Sequence, residues 1–168
     1  MLLIWSLRAP VAPGLLLHFP LVTSLTLMHG WGIAVVGISA MLATRCMQVD
    51  HWAEWPVYFL CDGVFPAFIT HGFHRLISRR LPRNFFVYMF VTVFGGSIAA
   101  FVLGGLARLG VLAACGSFPN LTLASDYALL LVMMAIAEAS MNGLVMSATV
   151  VYRPDWVASF EDGVYFAR

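Results

Sequence analysis

The sequence predicts an all-α fold: a polytopic transmembrane helical bundle with about five membrane spans, in a single integral membrane domain covering residues 1–168. Three observations lead there. Hydrophobic residues make up 61% of the 168 positions and charged ones 10%, there is no lysine, and the mean hydropathy is +0.90. So few polar side chains cannot cover a soluble globule. Breaks at glycine, proline and charged clusters divide the chain into apolar stretches, set against the ~20 residues that one crossing needs at ~1.5 Å per residue. The net charge is only +1 and the arginines are clustered, with no basic stripe interleaved with aromatics, which excludes a nucleic-acid-binding surface.

Met1 to Leu7 is apolar but too short to cross a bilayer, and Arg8 and Pro10 follow it in place of a small-residue cleavage site. It reads as the tail of a membrane helix whose earlier part lies upstream, a truncated N-terminus. The five spans are then Gly14 to His29, Trp31 to Met47, Trp55 to Ile77, Asn84 to Cys115 and Asp126 to Tyr152. The first two are short. They are tilted or partly re-entrant, or they form a broken pair hinged at Gly30 and Gly32, a device found where backbone lines a site. No internal repeat or low-complexity linker divides the chain.

Arginine placement orients the spans. Arg75, Arg79, Arg80 and Arg83 share one turn without an acid, which the positive-inside rule puts in the cytoplasm. By alternation the uncharged loop Gly116 to Ser125 is outside, and Arg153 opens a cytoplasmic C-terminal tail, 153–168. The acidic loop around Asp50, His51 and Glu54 falls outside too, as does the Pro13-Gly14 end of the first span.

His18 therefore needs a reason, because ionisable groups inside a membrane are costly and by default mark a pathway or ligand site. Two imidazoles toward one face, His18 and His51, with Asp50 beside the second, are ligand types that nickel, copper, cobalt or zinc prefer. They lie far apart in the chain, so spacing alone does not join them. His18 also reads as a packing histidine hydrogen-bonded across the bundle, and His51 as a solvated loop residue. Cys46, Cys61 and Cys115 are isolated in apolar segments and read as small buried hydrophobes.

Four further polar residues sit at depth: Asp62, Arg108, Glu138 and Asn142. An isolated charge at the bilayer centre costs at least ~2.5 to 3.5 kcal/mol, so Arg108 is expected to pair with Glu138, Asp62 or both. Asn142, one turn beyond Glu138, is placed to orient its carboxylate. Gly96, Ala100 and Gly104 recur every fourth residue and allow close helix approach, for packing inside the bundle or for docking to a partner helix. His71 and His74, one turn apart beside the arginines, read as interfacial.

Several stretches resemble a known family. Pro13-Gly14-x-x-x-His18, an apolar helix and Gly30-Trp31 are similar to the glycine-rich segment of the cobalt/nickel substrate-binding subunits of energy-coupling-factor ABC transporters, the CbiM/NikM family. Arg79 to Tyr88, with its Arg-Arg-Leu-Pro-x-Asn-x-Phe-Val-Tyr run, and Glu138-Ala139-Ser140-Met141-Asn142-Gly143 leading to Arg153-Pro154-Asp155-Trp156-Val157 resemble its shorter, divergent bacterial members. The resemblance implies a substrate-capture component in the bacterial inner membrane, not an enzyme. Its cargo would be cobalt or nickel, with no permanently bound cofactor. Its partners would be the lipid bilayer, a transmembrane coupling subunit and ATPase subunits, since this chain has no G-x-x-x-x-G-K-[ST] sequence of its own. In the well-studied subgroup the metal is held by the N-terminal amine, a histidine in second position and the glycine-segment histidine. Here residue two is Leu2, so only His18 carries over as a ligand.

Two other classes stand beside that expectation. One is an intramembrane enzyme using Glu138, Asp62 and His18, which no nucleophile motif or H-E-x-x-H supports. The other is a non-transport assembly factor for another membrane complex.

Overall fold

Proline and glycine decide where the helices of this chain begin, widen and turn. A computed structural model describes residues 8–12, 15–18, 20–49, 55–115 and 121–160. Strands β1 (Arg8–Ala12) and β2 (Leu15–His18) pair antiparallel, with His18 opposite Arg8. Helix α1 (Val22–His29) follows, and Gly30 at φ 81° turns the chain into α2 (Trp31–Val49). Because Pro20 has no N–H to donate, helix cannot run unbroken through it. The expected first span, Gly14 to His29, is thus a strand end followed by an eight-residue half-helix.

Helix α3 (Trp55–Tyr58), a π-helical turn (Phe59–Val64) and α4 (Phe65–Arg80) run on as one rod. Pro66 lacks an N–H and its ring crowds the carbonyl at position 62, and the widened turn takes up that crowding. After the arginine turn, a second π-helical stretch (Val87–Gly95) continues into α5 (Gly96–Ala114). The chain returns through α6 (Leu121–Tyr152) and ends in a 3-10 turn (Pro154–Trp156).

Among the described residues the fold is helical apart from the β1–β2 hairpin, and two helical stretches are long and apolar enough to cross a membrane, Val87–Ala114 and Tyr127–Tyr152. The five spans expected from the sequence are not reached by that measure, because α1 is short and the 55–80 rod carries histidines and arginines through its last third. Of their apolar windows, 44% and 33% are buried.

Polarity is inverted across the bundle. On α6, Tyr127, Leu131, Ala135, Glu138, Asn142, Met146 and Val150 face inward every three to four residues. Leu129, Val132, Met133, Ile136, Leu144 and Val151 are exposed. Arg108, Glu138, Asn142, Ser24 and Ser97 are all buried while the outer faces are apolar, the distribution expected in lipid.

Both ends of α1 are tied to α6 and the segment after it. At the C-terminal end the Leu27 and Met28 carbonyls accept from the Ser159 and Ala158 N–H groups at 3.2 and 3.0 Å. The Ser159 hydroxyl donates to Leu27 O at 2.8 Å and stands 2.7 Å from the Tyr88 hydroxyl. Helix α1 therefore runs parallel to the second half of α6. Its N-terminus is left at the level of Glu138, about 25 Å from one end of α6 and about 21 Å from the other at ~1.5 Å per residue.

Candidate functional site

A helix that starts in the middle of a bundle has unsatisfied N–H groups and a partial positive charge where no water reaches them. Here the partners come from α6. Glu138 Oε1 accepts the Leu21 N–H at 2.8 Å, and Asn142 Oδ1 accepts the Ser24 N–H at 2.8 Å and the Ser24 hydroxyl at 2.6 Å. Asn142 Nδ2 in turn donates to Glu138 Oε1 at 2.8 Å and to the Glu138 carbonyl at 3.0 Å. Two residues one turn apart on α6 thus cap a helix more than a hundred positions earlier, and Asn142 orients the Glu138 carboxylate as the sequence predicts.

The arrangement holds Leu21 at φ 49°, a left-handed conformation that a bulky L-residue rarely adopts. Strain of this kind persists where the surroundings over-determine it, and it clusters at functional sites. Leu21 is itself fully buried.

Beside this cap lies a cavity of about 40 Å³ between α1, the Phe59–Val64 turn, α5 and α6. Pro20, Thr23, Asp62, Arg108, Tyr127 and Glu138 line it. Arg108 Nη1 donates to Asp62 Oδ2 at 3.3 Å, and the guanidinium lies 4.3 Å from the centre of the Tyr58 ring. Of the two expected partners Arg108 takes Asp62, while Glu138 turns to the α1 N-terminus. The π-helical turn carries Asp62 inward, and the positive end of α1 draws the Glu138 carboxylate. Glu138 Oε2 is buried without a hydrogen-bond partner, and Glu138 has no ion-pair partner among the described residues.

The small-residue stripe is used inside the chain. A Cβ added at Gly104 would meet Cys61 O at 2.8 Å, and one at Gly96 would meet the Phe73 ring at 3.3 Å. Ala100 is buried with them, so Gly96, Ala100 and Gly104 pack the chain's own rods and are not open to a partner helix. Cys61 is buried as expected, whereas Cys115, at the end of α5, is exposed. His71 and His74 are half-buried, and His74 meets the edge of the Tyr88 ring at 6.3 Å.

His51 and Asp50 lie outside the described residues. For His18 the backbone alone is described, in β2 two residues before cavity-lining Pro20. Among the described residues no group of three histidine, cysteine or acidic side chains is close enough to hold a metal ion. Leu21, Ser24, Thr23, Tyr58 and Tyr127 belong to the site and were not singled out by sequence. Pro20 ahead of Thr23 and Ser24 is the one local sign of a helix start there.

Comparison with protein-family models, with characterised proteins and with solved structures finds no match to this chain.

Proposed function

We propose that this chain is the substrate-capture membrane component of an energy-coupling-factor transporter for a divalent transition metal, cobalt or nickel. It is embedded multi-pass in a bacterial inner membrane, with the arginine turn and C-terminus in the cytoplasm. A transmembrane coupling subunit and ATPase subunits supply the scaffold and the energy. The supporting observation is the half-helix α1, whose N-terminus opens at mid-bundle depth beside a cavity lined by Asp62, Arg108 and Glu138. Discontinuous helices of this kind form substrate and ion sites in membrane transporters. The resemblance of the His18, Arg79 to Tyr88 and Arg153 to Val157 stretches adds the substrate class.

His18 is the ligand this reading depends on. A chain advances at most ~3.6 Å per residue, so the His18 Cα lies within ~7 Å of the Pro20 Cα at the cavity wall. Imidazole nitrogen there suits cobalt and nickel. The test is titration of the purified protein in detergent with cobalt, nickel and zinc chlorides, followed by uptake in cells. His18→Ala is expected to weaken binding at least ~10-fold, or ~1.4 kcal/mol, while the protein still inserts. Unchanged binding and uptake in that variant would remove the metal reading.

A further inference from the structure

We propose that the groove between the 55–80 rod and α5 seats one anionic phospholipid, its acyl chain along the groove and its phosphate on Arg75 and Arg79. The proposal rests on the membrane reading and not on the transported metal. On the outer face of the bundle, Leu60, Val64, Phe65, Phe68 and Ile69 of the rod and Ala107 of α5 line a groove of about 370 Å³. Leu60, Phe65 and Phe68 are 56%, 44% and 60% exposed, so the groove opens outward and not into the core. The Phe68 ring stands edge-on to Trp31 at 5.7 Å, which fixes that wall. A methylene takes up about as much room as a water, ~30 Å³, so the space holds roughly a dozen of them, most of one acyl chain.

The same helix face leads from the groove to charge. Phe65, Phe68, Gly72, Arg75 and Arg79 follow one another at intervals of three or four residues, which puts them in one stripe along α4. All five are exposed. Gly72 has open space where a Cβ would stand, so the track between the aromatic rings and the guanidiniums is clear there. Arg75 lies ~15 Å along the axis from Phe65 at ~1.5 Å per residue, and one leaflet of a ~30 Å hydrocarbon core is that thick. A phosphate at the arginines therefore lays its chain beside Phe68 and Phe65. Among the described residues neither Arg75 nor Arg79 has an ion-pair partner, and Arg80 and Arg83 add charge at the same end. A guanidinium takes phosphate through paired, charge-assisted hydrogen bonds, and basic clusters on the cytoplasmic side recognise anionic headgroups. An apolar track with a cationic end thus fits an amphiphile with a negative head better than an apolar helix of another chain.

The test uses the full chain, purified in detergent and stripped of lipid. Native mass spectrometry counts the lipid bound, and melting temperature is followed as phosphatidylglycerol or phosphatidylcholine with the same acyl chains is added. One phosphatidylglycerol per chain and a saturable rise in melting temperature are expected, with phosphatidylcholine at least ~10-fold weaker. Arg75→Gln with Arg79→Gln should remove that preference, and Gly72→Phe, which fills the track, should weaken both lipids. Dioctanoyl phosphatidylglycerol, the same head on shorter chains, should bind the wild-type protein several-fold more weakly, a comparison that needs no variant to fold. Equal retention of the two headgroups, or a preference that survives the double glutamine variant, would overturn the proposal. Competition by glycerol phosphate as strong as by the full lipid would also overturn it, marking a site for free phosphate. So would photo-crosslinking in native membranes, with benzoylphenylalanine in place of Phe68, that labels protein and not lipid, because a partner helix would then fill the groove. None of these outcomes touches the metal titration of His18→Ala, so the two readings fall separately.

Discussion

The backbone N–H of Leu21 and the Oε1 of Glu138 meet at 2.8 Å across 117 positions of sequence, and Leu21 has a left-handed backbone where they meet. The contact joins the entry of the chain into the bundle to its last long helix. Whatever moves Glu138 therefore moves the start of α1.

Removing the Glu138 carboxylate should destabilise the protein. Glu138→Ala leaves the Leu21 N–H and one Asn142 donor without their acceptor in a buried site, a loss of about 1–3 kcal/mol. Glu138→Gln should lose less, because an amide oxygen still accepts. Unfolding in a denaturing detergent series measures both. Equal stability of the alanine variant and wild type would show that α1 does not depend on this cap.

Ser24 and Asn142 form the second half of the cap and are coupled. Asn142 Oδ1 accepts both the N–H and the hydroxyl of Ser24. A double-mutant cycle with Ser24→Ala and Asn142→Leu should return an interaction energy of about 0.5 kcal/mol or more. Side-chain hydrogen bonds inside membranes average only ~0.6 kcal/mol, so a null result in the cycle would place the stabilisation in the backbone contact.

Arg108 and Asp62 should behave as a unit. Arg108→Ala removes the ion-pair partner of Asp62 and is expected to cost about 3–5 kcal/mol, whereas Arg108→Leu with Asp62→Leu should recover most of the loss. If Arg108→Leu were instead rescued by Glu138→Gln, the guanidinium would be shown to answer to Glu138.

Much of this architecture was legible and some was not, for physical reasons that differ by residue. Periodicity and composition place α5 and α6, because a helix apolar on its outer face and small or polar on its inner one has a clear pattern. The hinge at Gly30 was legible because glycine tolerates positive φ. Asp62 and Glu138 were both plausible partners for Arg108 by depth. The choice rests on a π-turn and on the end of another helix, neither of which leaves a local sequence signal. Leu21 shows the limit most plainly. Nothing in leucine announces a left-handed backbone, and only the distant Glu138 and Asn142 explain it. Strand β2 was read as part of an apolar span because Leu15, Leu16 and Leu17 suit a strand and a membrane helix equally by hydropathy.

The glycines of α5 divide into two groups with opposite expected outcomes. Gly104→Ala places a methyl group 2.8 Å from the Cys61 carbonyl and 2.9 Å from Pro66, and Gly105→Ala drives one into the Leu131 side chain. Overpacking of this kind costs about 1–3 kcal/mol, with Gly104 the more severe because backbone yields less than a leucine rotamer. Gly110, with nothing within 4 Å of a Cβ, should be unchanged or more stable as alanine.

Orientation is the last expectation, and the geometry makes it sharper than the arginine count alone. His74 meets Tyr88 and Tyr88 meets Ser159, so the end of α4, the start of the 85–114 rod and the segment after α6 share one end of the bundle. That end carries Arg75, Arg79, Arg80, Arg83 and Arg153, so the positive-inside rule predicts that it faces the cytoplasm. Gly63 would meet Ile38 and Leu42 if it carried a Cβ, so α2 climbs away from that end alongside the 55–80 rod. α1 descends from mid-depth to reach the turn at Gly30. Reporter fusions after Arg83 and at Arg168 should both report cytoplasm, and fusions at Glu54 and at Phe118 should both report the outside. A fusion at Glu54 that reports cytoplasm while the one at Arg83 does too would mean that the 55–80 rod does not cross, and the transporter reading would lose the wall that carries Asp62.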